Sequence, residues 1–217
     1  MMQSESVGSI INFTDSLFHD LYYHELWWLS HSIKRKCEYV FKATVVPDEG
    51  YSIVVSAEVH SNISSLLSDA ANIKKLFITP SAKLNGENRS LFKLRQERAS
   101  VLSDFLGSLN IKEMLSPKVR NTLEHFDEYL DRANYEITKS AIQNRVAVYN
   151  IVLSHWEALS PRVYPLRLYI SNERKFYNMQ WSIDIGLLYV EASSIVEKLE
   201  GGNFLSGNEP GGLMIRI

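Results

Sequence analysis

The hydrophobic positions of this 217-residue chain repeat at helical spacing over most of its first 139 residues, and the texture changes after that. Phe13, Leu17, Leu21, Trp28 and Ile33 recur at roughly one or two helical turns, which predicts an amphipathic first helix over residues 9–41 with room for one break. Pro47-Asp-Glu-Gly50 then reads as a turn. A second helix is predicted over residues 54–77, with Val59, Ile63, Leu66, Leu67, Ala70, Ile73 and Leu76 on its apolar face. Thr79-Pro-Ser81 and Asn85-Gly86 mark a polar loop, and a third helix follows over residues 90–106. Its charged face carries Lys93, Arg95, Glu97 and Arg98, and Gly107 stands where a helix stop belongs. Ser116-Pro117 opens a fourth helix, serine as N-cap and proline at the first helical position. Val119, Leu123, Phe126, Leu130, Ala133 and Ile137 then alternate in steps of four and three, the most regular stripe in the chain.

Beyond Lys139 the pattern shortens. Ala147-Val-Tyr-Asn-Ile-Val-Leu153 fits either a strand or a short helix. Pro165 to Ile170 and Lys175 to Trp181, separated by Ser-Asn-Glu-Arg, predict a β-hairpin, and residues 184–199 predict a final helix before a glycine-rich tail. The fold class expected is therefore mainly α. A bundle of about four main helices spans residues 9–139, and a small mixed segment, residues 140–217, packs on the same domain.

Composition narrows the function. At 45% hydrophobic and 11% aromatic the chain can fill a single core, which argues against general disorder. A formal charge of −2 gives no overall attraction to nucleic acid, so any RNA contact must come from local patches and weaken with salt. The lone Cys37 rules out an intrachain disulfide and a multi-thiolate metal site, and fits a reducing compartment. The start Met-Met-Gln-Ser-Glu-Ser is unlike a secretory signal, and the aromatic run of residues 21–29 is too short to span a bilayer. A cytoplasmic protein with no membrane partner is expected.

The segment richest in candidate chemistry is Lys118-Val-Arg-Asn-Thr-Leu-Glu-His-Phe-Asp-Glu-Tyr-Leu-Asp131 in the fourth helix. Asn121, Glu124 and Glu128 lie opposite its apolar stripe, with Arg120 and His125 on the flanks of that polar face. Histidine exchanges protons near neutrality, and arginine can hold two phosphate oxygens as charge accumulates. RNA supplies its own nucleophile, the 2′-hydroxyl, so these two side chains are sufficient equipment for metal-free cleavage. On one straight helix Arg120 and His125 diverge by about 140°, which invites a symmetric partner to complete the site. Glu124, Asp127, Glu128 and Asp131 surround the pair, so a phosphodiester would need compensating bases such as Lys118, Arg132 or those of a second subunit.

Arg120-Asn121-x-x-x-His125 resembles the signature of the HEPN superfamily, and the likeness extends loosely over residues 9–139. The wider phrase Arg-Asn-Thr-Leu-Glu-His-Phe-Asp-Glu, with Ala70-Ala-Asn-Ile-Lys-Lys-Leu76 upstream, is similar to bacterial members of that superfamily. The resemblance implies a HEPN-like helical bundle that forms a homodimer and sets two copies of the motif at one cleft. It implies a metal-independent endoribonuclease, with Arg120 and His125 catalytic and Asn121 orienting them or the phosphate. A toxin or antiphage role, and with it an antitoxin protein as partner, is a further implication. The alternative is a non-catalytic HEPN-like protein that binds a nucleotide, RNA or a protein partner. A plain helical interaction protein would make the motif coincidental.

Other clusters carry less. His19, His24 and His31 with Asp20 and Glu25 read as helix-surface or buried histidines more readily than as metal ligands. Arg162, Arg167, Arg174 and Lys175, interleaved with Tyr164, Tyr169, Phe176 and Tyr177, offer a second surface for stacking and phosphate contact. Lys34-Arg-Lys36 reads as a solvated helix end, and Ser154-His155-Trp156-Glu157 forms no triad. There is no glycine-rich phosphate loop, paired HxxxH or zinc-cysteine pattern, so neither a cofactor nor a metal is expected.

Overall fold

Three helical stripes close over one face of a mixed β-sheet. The structure is a computed structural model and describes residues 11–118, 124–139, 146–159, 163–201 and 210–217. Its helices are α1 (His19–Ala43), α2 (Ala57–Phe77), α3 (Arg89–Leu106), α4 (Phe126–Lys139) and α5 (Ile185–Gly201). Its strands are β1 (Ile53–Val55), β2 (Ala147–Leu153), β3 (Tyr164–Ile170), β4 (Lys175–Asn178) and β5 (Trp181–Asp184). Helix predominates, but the expected small hairpin is part of a larger sheet that also recruits the N-terminal half. The strands lie in the order β1-β2-β3-β4-β5; β2 and β3 run parallel and the other neighbours antiparallel.

The first helix starts later than its spacing predicts. A 3-10 turn at Phe13–Asp15 precedes α1, and Leu17, Leu21 and Trp28 are exposed. Phe13 and Ile33 are buried as expected, but the rest of the buried α1 face includes Tyr23, Leu26, Trp27, Cys37 and Val40. Residues 21–29 are apolar on nearly every side, so packing on α2 and α5, not the sequence, selects the phase. The second helix also starts later. Ile53-Val54-Val55 forms the edge strand β1, paired with β2 from Ile53–Leu153 to Val55–Ile151. Three β-branched residues fit a pleat better than a helical turn. The helix begins after Ser56, whose hydroxyl accepts the Val59 N–H at 3.2 Å.

One core spans both parts of the chain. Ile63, Leu66, Leu67 and Ile73 of α2 meet Leu26 and Ile33 of α1, Ile195 and Leu199 of α5, and Val152, Tyr169, Phe176 and Ile183 of the sheet. Fully burying a side chain of this size stabilises by about 1.5–3 kcal/mol. The other sheet face, with Val148, Leu153, Leu168 and Ile170, is covered by the β2–β3 crossover through Trp156, Ala158 and Leu159. Among the described residues no helix is long and apolar enough to cross a membrane.

Helix α4 differs from the rest. Of its described residues only Ala133 is buried, while Leu130 and Ile137 are 37% and 41% exposed. The expected fourth helix does start at Pro117, after Ser116, but it is interrupted. His125 is a turn residue between helical Glu124 and α4, and its carbonyl accepts the first α4 bond from the Tyr129 N–H at 3.1 Å. The apolar spacing runs through this interruption unbroken, so the sequence gives no sign of it. Straight-helix geometry consequently does not fix the angle between Arg120 and His125.

Candidate functional site

Of the three residues singled out by the sequence, Arg120 and Asn121 lie outside the described residues. His125 stands at the start of α4 with its side chain 40% exposed. Its Nδ1 is 3.5 Å from Glu128 Oε2, close enough for the carboxylate to bias the ring's orientation electrostatically. Its Nε2 has no hydrogen-bond partner among the described residues. The first-turn acids Asp127 and Glu128 suit the positive end of the α4 dipole, which explains their placement without a ligand.

An aromatic path ties this turn to the sheet. The His125 ring lies 6.1 Å from Tyr129, and Tyr129 lies 6.3 Å from Trp181, the first residue of β5. Phe126, next to His125, is capped by a cation: the Arg167 guanidinium of β3 sits 4.0 Å from its ring centre and 5.8 Å from that of Tyr149. Arg167 makes no ion pair among the described residues. It therefore brings an uncommitted positive charge to the start of the acidic helix, whereas Arg132 is tied to Glu136 at 2.9 Å.

The backbone under Arg167 is unusual. Asn150 of β2 and Arg167 of β3 occupy matching positions between the pairs Tyr149–Leu166 and Ile151–Leu168. Both have left-handed φ angles, 52° and 65°. Such conformations cost a non-glycine residue on the order of 1 kcal/mol or more, asparagine least. On the other side of β3 the ladder slips by one residue. Leu168 pairs with Tyr177, but the next contact is Met179 N–H to Pro165 O at 2.7 Å, so β3 holds an extra residue there. This is a β-bulge, a device that re-aims a side chain, and the re-aimed side chain is Arg167.

Above the bulge lies His60 of α2, 5% exposed. Its ring faces the backbone of Asn150 and Ile151 and the Arg167 charge, and neither ring nitrogen finds a well-formed hydrogen bond. Burial lowers its pKa to about 4; the Arg167 charge adds to this and the strand backbone works against it. His60 is thus neutral near pH 7. Asn150 Oδ1 and Trp181 Nε1 are also buried without a partner. None of this was visible in the sequence, which flagged Arg167 only as one of a run of basic residues.

A second anchor holds the approach to the motif. Buried Glu191 of α5 accepts the N–H groups of Lys112 (2.6 Å), Glu113 (2.8 Å) and Met114 (2.7 Å). Glu113 in turn accepts the Asp184 N–H at 2.9 Å. The chain entering the Ser116-Pro117 helix start is therefore fixed to the C-terminal helix and to β5.

The remaining sequence candidates serve the fold. His31 Nε2 and Trp27 Nε1 both meet Glu200 Oε1 at 3.0 Å, His19 meets Asp20 at 2.9 Å, and His24 is buried beside Trp27. Among the described residues no three metal-binding side chains gather. Tyr169 and Phe176 are core residues, so the basic-aromatic hairpin does not present them for stacking, and Arg174 lies on Phe41 at 4.3 Å. Arg162 lies outside the described residues. Ser154 accepts the Ser52 N–H at 2.8 Å, a structural role. The chain matches no family model, no curated protein and no solved structure.

Proposed function

We propose that this chain is a HEPN-like protein that cleaves RNA without a metal ion, as a homodimer in which two copies of the Arg120–His125 segment share a cleft. The observation that carries this reading is His125 itself. It stands at a half-exposed turn with Nδ1 3.5 Å from Glu128 Oε2, at the head of a helix whose stripe residues Leu130 and Ile137 remain 37% and 41% exposed. In the reaction, one His125 takes the proton of the 2′-hydroxyl as that oxygen attacks the adjacent phosphorus. The same His125, facing the other copy's Arg120, then passes that proton to the departing 5′-oxygen, leaving a 2′,3′-cyclic phosphate and a 5′-hydroxyl. Arg120 holds the phosphorane oxygens and Asn121 orients them. Arg167 offsets the α4 carboxylates at the same turn. A toxin or antiphage effector restrained by an antitoxin is the setting that the resemblance suggests.

The acids around His125 favour a second reading, a HEPN-like protein that binds a nucleotide, RNA or a protein partner without cutting. Incubation of the purified protein with diverse RNAs in excess chelator separates the two. Cyclic-phosphate ends that disappear in folded Arg120→Ala and His125→Ala support cleavage. Binding without cleavage supports the second reading, and 3′-hydroxyl ends or full activity in His125→Ala overturn the mechanism.

A further inference from the structure

A cavity of about 340 Å³ opens on the opposite part of the helical layer, between the turn that precedes α1 and the first half of α3. Its walls are Phe13, Leu17, Phe18 and Tyr22 on one side and Leu91, Leu94, Arg95 and Arg98 on the other. The two sides are locked together: Phe13 is buried and its N–H donates to Glu97 Oε2 at 3.0 Å. The space is therefore a built feature of the fold and lies in the size range of small-molecule sites. Leu17, Phe18 and Leu91 leave large apolar surfaces in water around it.

The two arginines in the wall differ. Arg95 is fully engaged, with Glu87 at 2.8 Å, the carbonyls of Pro80 (2.9 Å) and Ala82 (3.0 Å), and Thr79. Arg98 has no carboxylate partner among the described residues. Its contacts are one long bond from Nη1 to Lys75 O, 3.4 Å, and the Tyr22 ring, 5.5 Å from its Cζ. Partial burial, with the neighbouring Arg95 charge adding to it and Tyr22 opposing it, lowers its pKa, as expected of a cation that is partly desolvated. A guanidinium in that position gains most from a planar, two-oxygen anion, which it can hold with two parallel N–H bonds.

We propose that this cavity binds a small amphiphilic carboxylate, its aliphatic or aromatic body among Phe13, Leu17, Phe18, Leu91 and Leu94 and its carboxylate on Arg98. The body replaces water over the apolar walls, and the head group supplies the charge that Arg98 lacks. The site is separate from the His125 turn and does not depend on the RNA-cleavage reading.

Titration calorimetry of the full chain with decanoate, below its micelle-forming concentration, tests the assignment against decanol, the same chain without the charge. Decanoate should bind one per protomer and roughly tenfold more tightly than decanol. Arg98→Met keeps the apolar stem and removes the charge, so the two ligands should then bind alike. Leu94→Trp fills the cavity and should abolish both, with circular dichroism confirming that each variant is folded. Absence of decanoate binding, equal affinity for decanol in the wild type, or decanoate affinity unchanged in Arg98→Met or Leu94→Trp would overturn the proposal.

Discussion

Helices α2 and α4 carry the same kind of apolar stripe and meet opposite fates. In α2 the residues Val59, Ile63, Leu66, Leu67, Ala70 and Ile73 all disappear into the core between α1, α5 and the sheet. In α4 Phe126 and the neighbouring Tyr129 touch the sheet and Ala133 is buried, but Leu130 and Ile137 stay 37% and 41% exposed. Spacing reports that a helix has a face to bury; it does not report where the covering surface comes from. For α2 that surface is the chain itself. For α4 we assign it to a second copy, which is also what a shared Arg120–His125 cleft requires.

The largest expected contrast comes from truncating each stripe. Leu66→Ala should lower unfolding stability by roughly 3–5 kcal/mol, because no neighbour can collapse into the space left. Leu130→Ala should change the stability of the monomer by less than about 1 kcal/mol while weakening self-association. Denaturant melts, read beside sedimentation velocity, check both; equal losses of monomer stability would break the comparison.

The histidines of the two regions sharpen it. His60, buried under α2, has a folded pKa of about 4 against an unfolded value near ~6.5. The unfolded chain thus binds the proton more readily, and the stability linked to this group is complete above pH ~6.5 and declines as pH falls towards 4. The loss amounts to at most about 3 kcal/mol, and His60→Leu should remove that part of the acid sensitivity. Urea melts between pH 4 and 7 measure it; an identical pH dependence in wild type and His60→Leu would show that another group is responsible.

A smaller effect is expected where the two regions are joined. Glu191→Gln keeps the shape but sets an amide NH₂ against a backbone N–H, costing about 1–3 kcal/mol. Hydrogen exchange at Lys112, Glu113 and Met114 should accelerate more than exchange in α2, and RNA cleavage should fall with it. Uniform acceleration across the chain would mean that Glu191 stabilises the whole fold and does not specifically tether the approach to the motif.

The sequence revealed most where structure is local. The stripe of α2, the span of α3 up to Gly107, the Ser-Asn-Glu-Arg turn between β3 and β4, and the Ser116-Pro117 helix start all follow from neighbours within a few residues. The parts that escaped it depend on distant pairing. Ile53-Val54-Val55 becomes a strand only because β2, almost a hundred residues later, offers an edge. The α1 face is chosen by α2 and α5 from a segment apolar all round. At the candidate site, His125 was legible as a polar flank residue, but the left-handed pair Asn150 and Arg167, the bulge between them and β4, and His60 above them exist only through strand register. No periodicity in the sequence could have placed Arg167 on Phe126.

The measurement that bears most directly on the account mixes two inactive proteins. Arg120→Ala and His125→Ala, co-refolded or co-expressed, give hybrid dimers in which one cleft holds an intact arginine from one copy and an intact histidine from the other. If the cleft is shared, the mixture should recover roughly a quarter of wild-type RNA cleavage in excess chelator, since half the dimers are hybrids with one complete site each. A mixture as inactive as its components, beside an active wild type, would contradict the shared site, and a wild type that cleaves no RNA would contradict the nuclease itself.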